Sequence, residues 1–225
     1  GIGSNRGAGW ATGHGNIIGF AVAIEGWQGY YPFKHFGGGN MIPSQVKKYI
    51  KDVCALPCPK IFHNAQYDVG WLEQEGFKVN GDIIDTMVAA AIVDENRFSY
   101  SLNALSKDYL GEIKAETDLI IAAKEHGVDP KGEMWKLPAE YVGFYAEQDA
   151  RLTYLLWQQL KKEIMQQSLE TVWELESNLL PVLIAMRQRG VRVQVELAEK
   201  LRTDMQLQEK SLLLAIRKES GIDID

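Results

Sequence analysis

Apolar positions along this chain switch between the two-residue repeat of strands and the longer repeat of helices. Asn16 to Ile24 reads Asn-Ile-Ile-Gly-Phe-Ala-Val-Ala-Ile, a nearly continuous apolar run, which predicts a strand buried on both faces. Glu25 to Gly29 predicts a turn, and Tyr30 to His35 an aromatic strand that closes a hairpin. Lys60 to His63 and Asp82 to Asp85 predict two further short strands. Helices are expected over about Pro43 to Val53, with proline suited to the first turn, then from Asn64 to about Glu75, over Thr86 to Val93, and over Ser101 to Leu110 ahead of Gly111. Strands alternating with helices imply an α/β domain with a mixed sheet. Beyond Pro138 the pattern is helical throughout. One long helix is predicted to about Met165, a second from about Leu169 to Arg189, and a charged amphipathic third from Val195 to about Glu219.

Composition changes this picture little. The chain of 225 residues can build one core with a helical appendage. No apolar run approaches the roughly 20 residues needed to span a bilayer, and Gly1 to Gly9 lacks the basic and apolar stretches of a signal peptide. The net charge of −6 argues against a protein that holds nucleic acid by bulk attraction. It leaves room for an enzyme whose carboxylates act through cations, because bound metals reverse the local field. Cys54 and Cys58 have no second Cys/His pair at zinc-ligand spacing and read as reduced thiols. Gly37-Gly38-Gly39 lacks the Gly-Lys-Ser/Thr ending of a phosphate loop. Lys47, Lys48 and Lys51 read as a solvated helix face rather than DNA contacts.

Two acids stand where apolar residues are expected. In the long helix Tyr141, Tyr145, Leu152 and Leu156 form one stripe, and Asp149 lies within it. In the helix opening at Asn64, Asp68 shares a face with Trp71 and Leu72. An inward carboxylate costs several kcal/mol unless it is paired or bound to a metal. Each residue has a bland alternative. Asn64 can be an N-cap, Asp68 can favour the helix dipole, Asp149 can pair with Arg151 or a lysine, and Asp85 can cap the helix at Thr86. Yet both displaced acids have a polar companion four residues earlier, Asn64 for Asp68 and Tyr145 for Asp149. That coincidence points to a site.

His63-Asn64-Ala65-Gln66-Tyr67-Asp68 resembles the second motif of the proofreading exonucleases named for their Asp-Glu-Asp-Asp metal ligands. Tyr145-Ala146-Glu147-Gln148-Asp149 resembles their third motif in its tyrosine form. Ile84-Asp85-Thr86-Met87 and Tyr100-Ser101-Leu102-Asn103-Ala104-Leu105 are similar to the stretch between those motifs in DNA polymerase I relatives. Leu180-Pro181-Val182-Leu183, Met186 and Arg189-Gly190-Val191-Arg192-Val193 resemble the junction from exonuclease to thumb in family A polymerases, although Gln194 stands where that family usually has an acid.

The resemblance implies a ribonuclease H-like exonuclease domain over 1–166, followed by a helical junction and the start of a polymerase domain over 167–225. It also implies what is missing. The first motif, Asp-x-Glu on a central strand, has no counterpart, and Gly1 to Gly15 read as the loop that follows it; the chain is thus expected to be a piece truncated at both ends, and poorly soluble. The complete domain is expected to hydrolyse the 3′ terminal phosphodiester of single-stranded DNA with two divalent cations, Mg²⁺ or Mn²⁺, about 4 Å apart. By resemblance, Asp68 and Asp149 bind metal, Tyr145 orients the attacking water, and Asn64 positions Asp68 or the substrate strand. The implied partners are a DNA 3′ end and the remaining polymerase chain, with no membrane, in the cytoplasm of a bacterial or phage-infected cell. A non-catalytic DNA-binding module of the same fold and a ribonuclease D-like RNA exonuclease are the alternatives.

Overall fold

A computed structural model of the chain describes residues 9–114, 116–130 and 132–221. The order is α1 (Gly9–Thr12), β1 (Gly19–Ile24), β2 (Trp27–Pro32), α2 (Pro43–Ala55), β3 (Lys60–Phe62), α3 (Ala65–Gln74), β4 (Ile83–Asp85), α4 (Thr86–Val93), α5 (Leu102–Leu110), α6 (Thr117–Glu125), a short 3₁₀ turn (Met134–Lys136), α7 (Ala139–Gln166), α8 (Glu170–Arg189) and α9 (Val195–Ser220). Two compact units result, Gly1–Gln188 and Arg189–Asp225. In the second, α9 is exposed along its length, Leu197, Leu201 and Met205 included. No helix among the described residues is long and apolar enough to cross a membrane.

The predicted hairpin forms with a tighter turn than the sequence suggests. Ile24 faces Trp27 in the antiparallel ladder, leaving a two-residue turn in which Gly26 takes a φ of 73°, a conformation glycine adopts without steric cost. The expectation that the first strand is buried on both faces does not hold. Its residues are half-buried and Ile24 is 59% exposed, because β1 borders an open cavity. β3 and β4 pair in parallel, Phe62 opposite Asp85. These remain two separate two-stranded sheets among the described residues. A cavity of about 1340 Å³ lies between them, walled by Phe20 and Val22 on one side and Ile61 and Phe62 on the other. Of the expected loop Gly1 to Gly15, residues 1–8 lie outside the described residues, while Gly9–Thr12 forms a helical turn with Trp10 buried.

α7 is the spine of the first unit. Leu152, Leu156 and Leu160 are fully buried against Ala89, Ala90, Leu102 and Leu105. The apolar stripe is shorter than its spacing suggests, since Tyr141 is exposed and stacks on His126. Leu180 and Ile184 of α8 are buried in the cluster formed by Trp10, Val69 and Trp71. There Trp10 approaches α3 so closely that a Cβ on Gly70 would lie 2.3 Å from its ring.

One carboxylate ties the two halves of the β3–β4 region together. Asp85 is 1% exposed. It accepts from the backbone N–H of Asn64 at 2.9 Å, of Ala65 at 2.8 Å and of Met87 at 2.9 Å. It therefore caps α3 and α4 at once, satisfying N-terminal donors of both helices. Replacing it with alanine leaves three backbone donors without this acceptor, one of them fully buried. Asp85→Ala is expected to cost about 3 kcal/mol, read as a lower urea midpoint; a loss below about 1 kcal/mol would contradict the double cap.

Candidate active site

The walls of the large cavity gather residues from every part of the first unit. Asn64, Asp68, Lys114, Tyr145 and Asp149 all line it. The two acids singled out by sequence, about eighty residues apart along the chain, thus face one space. Asp68 occupies the first turn of α3. Burial, reinforced by the charges of Asp85 and Asp149, pushes its carboxyl from 3.8 up to about 7. Such a shift marks negative charge with too little compensation.

Asp149 is compensated, by a residue the sequence did not single out. Lys114 places its Nζ 2.7 Å from Oδ1 and 2.9 Å from Oδ2 of Asp149, and its side chain is 9% exposed. The same ammonium donates to the Tyr145 hydroxyl at 3.0 Å and lies 4.4 Å from the centre of that ring. Tyr145 in turn hydrogen-bonds Asp149. Burial works against the charge of Lys114, but Asp149 and Tyr145 outweigh it and hold the ammonium above its ordinary value. Burial raises Asp149 despite Lys114 and Tyr145. Arg151, the alternative partner suggested by sequence, instead clamps Glu112 at 2.6 and 3.0 Å.

Asn64 lies at the N-terminus of α3 but does not cap it with its side chain. It adopts a left-handed conformation, φ 67° and ψ 59°, which costs an L residue energy and recurs at functional sites. Asp85 does the capping instead. His63, also on the cavity wall, is held by Thr86 Oγ1 at 2.9 Å. Burial lowers its basicity, with Lys114 acting in the same direction.

The sequence reading missed Lys114 because nothing local marks it. It sits in the 111–116 loop between α5 and α6, outside any periodic stripe. Only the chain's return through α7 brings it to Asp149. Lys47, Lys48 and Lys51 are surface residues of α2, with Lys48 paired to Asp52 at 2.6 Å. Cys54 is buried and Cys58 exposed, both as free thiols.

The donor set suits a hard cation. Asp68 and Asp149 offer carboxylate oxygens, which Mg²⁺ and Mn²⁺ prefer. Among the described residues no group of three or more His, Cys, Asp or Glu side chains converges. Asp68 and Asp149 alone could supply only part of the ligand set of a divalent cation.

The family model described as 3′-5′ exonuclease matches residues 17–165, which span the hairpin, both acids and nearly all of α7. The chain belongs to the 3′-5′ exonuclease domain family of family A DNA polymerases. It is 34% identical over 209 residues to a DNA-directed DNA polymerase of Pseudomonas phage M6, covering 91% of this chain and 32% of that protein. It is 29% identical over 176 residues to DNA polymerase I of Synechocystis sp., covering 76% of this chain and 17% of that protein. Its fold is similar to a solved structure titled "POL domain of Pol1 from M. smegmatis complex with DNA primer-template and dNTP", with a TM-score of 0.64, 19% identity, and coverage of 93% of this chain and 32% of that one. The chain spans about a third or less of the length of these proteins.

The raised carboxyl of Asp68 sets a pH dependence. Below about pH 4 the residue is protonated whether folded or unfolded and costs nothing. Between about 4 and 7 only the folded state keeps its proton, so stability is lost as pH rises, and above 7 the loss is complete. Asp68→Asn is expected to stabilise the chain at pH 8 by up to about 4 kcal/mol, with the gain fading toward pH 4. A gain independent of pH in denaturant titrations would contradict this origin.

Proposed function

We propose that this chain forms part of the 3′→5′ proofreading exonuclease of a DNA polymerase, acting on the 3′ end of single-stranded DNA. The observation that carries the reading is the convergence of Asp68 and Asp149 on one cavity, beside Tyr145. In this reading Asp68 and Asp149 hold Mg²⁺ or Mn²⁺, which when bound as a pair supply a metal-activated water and stabilise the leaving 3′ oxygen. The Tyr145 hydroxyl orients the attacking water by hydrogen bonding. The left-handed Asn64 holds the entrance of α3 and so the position of Asp68, or touches the substrate strand. Residues 1–166 would be the exonuclease domain, in keeping with a family match that ends at residue 165. Residues 167–225 would be the junction toward a polymerase domain supplied by the same longer protein. Relatives named as phage and bacterial DNA polymerases favour DNA over RNA as substrate, and a bacterial or phage-infected cytoplasm as the setting.

Two carboxylates are fewer than the four that the family resemblance implies, so this chain by itself is proposed to be a feeble nuclease. With Mn²⁺ and a 3′-labelled single strand, release of labelled mononucleotide is expected at least about a hundredfold more slowly than from a family A exonuclease with all four acids, reflecting several kcal/mol of lost charge stabilisation. Asp149→Asn should abolish what remains. A comparable rate would contradict the two-carboxylate site, and cleavage from the 5′ end would contradict the exonuclease reading itself.

A further inference from the structure

Lys114 is delivered into the site by a loop held from two sides. Its backbone N–H donates to Asn103 Oδ1 on α5 at 3.2 Å, and two positions earlier Glu112 is clamped by Arg151 of α7. A buried ammonium on a braced loop, hydrogen-bonded to Asp149 Oδ2 and to the Tyr145 hydroxyl and 2.7 Å from Asp149 Oδ1, is more than a surface ion pair. Glu116 lies 3.9 Å away and adds a further negative neighbour.

We propose that Lys114 is a tethered counter-ion, a positioning residue that fixes Asp149 and Tyr145 while no divalent cation is bound and yields Asp149 when one arrives. The inference rests on the proposed cation site at Asp68 and Asp149. The ammonium donates to Asp149 Oδ2 and lies 2.7 Å from Oδ1, a buried oxygen with no hydrogen-bond partner among the described residues, so it stands where an incoming cation would bind, and two adjacent positive charges repel. The four-carbon stem of lysine is flexible enough to swing aside while the loop stays anchored. The cavity itself, lined in part by Gly15 and Asn16, gives the displaced ammonium room.

Direct Mn²⁺ binding to the purified chain, followed by electron paramagnetic resonance, tests this without an activity assay. Lys114→Met, which keeps the stem and removes the charge, is expected to tighten Mn²⁺ binding by about tenfold or more, since it removes a positive charge next to the ligand. Lys114→Arg should remain within about threefold of the native chain, and Asp149→Asn should weaken binding in either background. An unchanged or weaker affinity in a folded Lys114→Met chain overturns the role of Lys114 and leaves the cation site standing. No Mn²⁺ binding by any of the chains overturns both. Should Lys114→Met fail to fold, the native chain decides the matter. Its slowly exchanging Lys114 ammonium resonance should be lost on saturation with Mg²⁺, and its persistence would refute the displacement.

Discussion

Burying negative charge is the constraint around which this structure is arranged. Asp68 and Asp149 face one cavity, and burial raises the carboxyls of both. Asp85, 1% exposed, accepts from three backbone N–H groups. Asp149 is relieved by Lys114. Asp68 has no comparable ion pair among the described residues, and its carboxyl rises to about 7. A fold that tolerates such a residue gives up stability, and strongly shifted groups of this kind concentrate at functional sites.

The scaffold explains how the two acids come to face one cavity. Asp85 joins the N-termini of α3 and α4, which fixes the first turn of α3 and hence Asp68. The packing of α7 against α4 and α5 through Leu152, Leu156 and Leu160 fixes the depth of Asp149. Glu147, one face round the same helix, accepts from the backbone N–H of Tyr30 at 3.0 Å and ties α7 to the hairpin.

Much of this was legible in the chain. The helix at Thr86–Val93 matches its predicted limits, and those at Asn64, Ser101 and Pro138 match theirs to within a residue or two, since apolar spacing and capping residues act locally. The displaced acids were legible for the same reason, as charges that break an apolar stripe. Four features were not. β1 alternates no differently from a buried strand, and only the neighbouring cavity leaves it half exposed. The helix over Thr117–Glu125 lies in a stretch whose mixed pattern gave no clear period. Lys114 and the double role of Asp85 depend on contacts between distant segments, which no local pattern encodes.

The most direct test of the central claim is a crystal of this chain soaked in Mn²⁺ and measured for anomalous scattering. A peak is expected within about 2.2 Å of a carboxylate oxygen of both Asp68 and Asp149, with the Lys114 ammonium moved off Asp149. Density that leaves these two carboxylates pointing into separate spaces, or a peak bound elsewhere on the chain, would contradict a shared cation site.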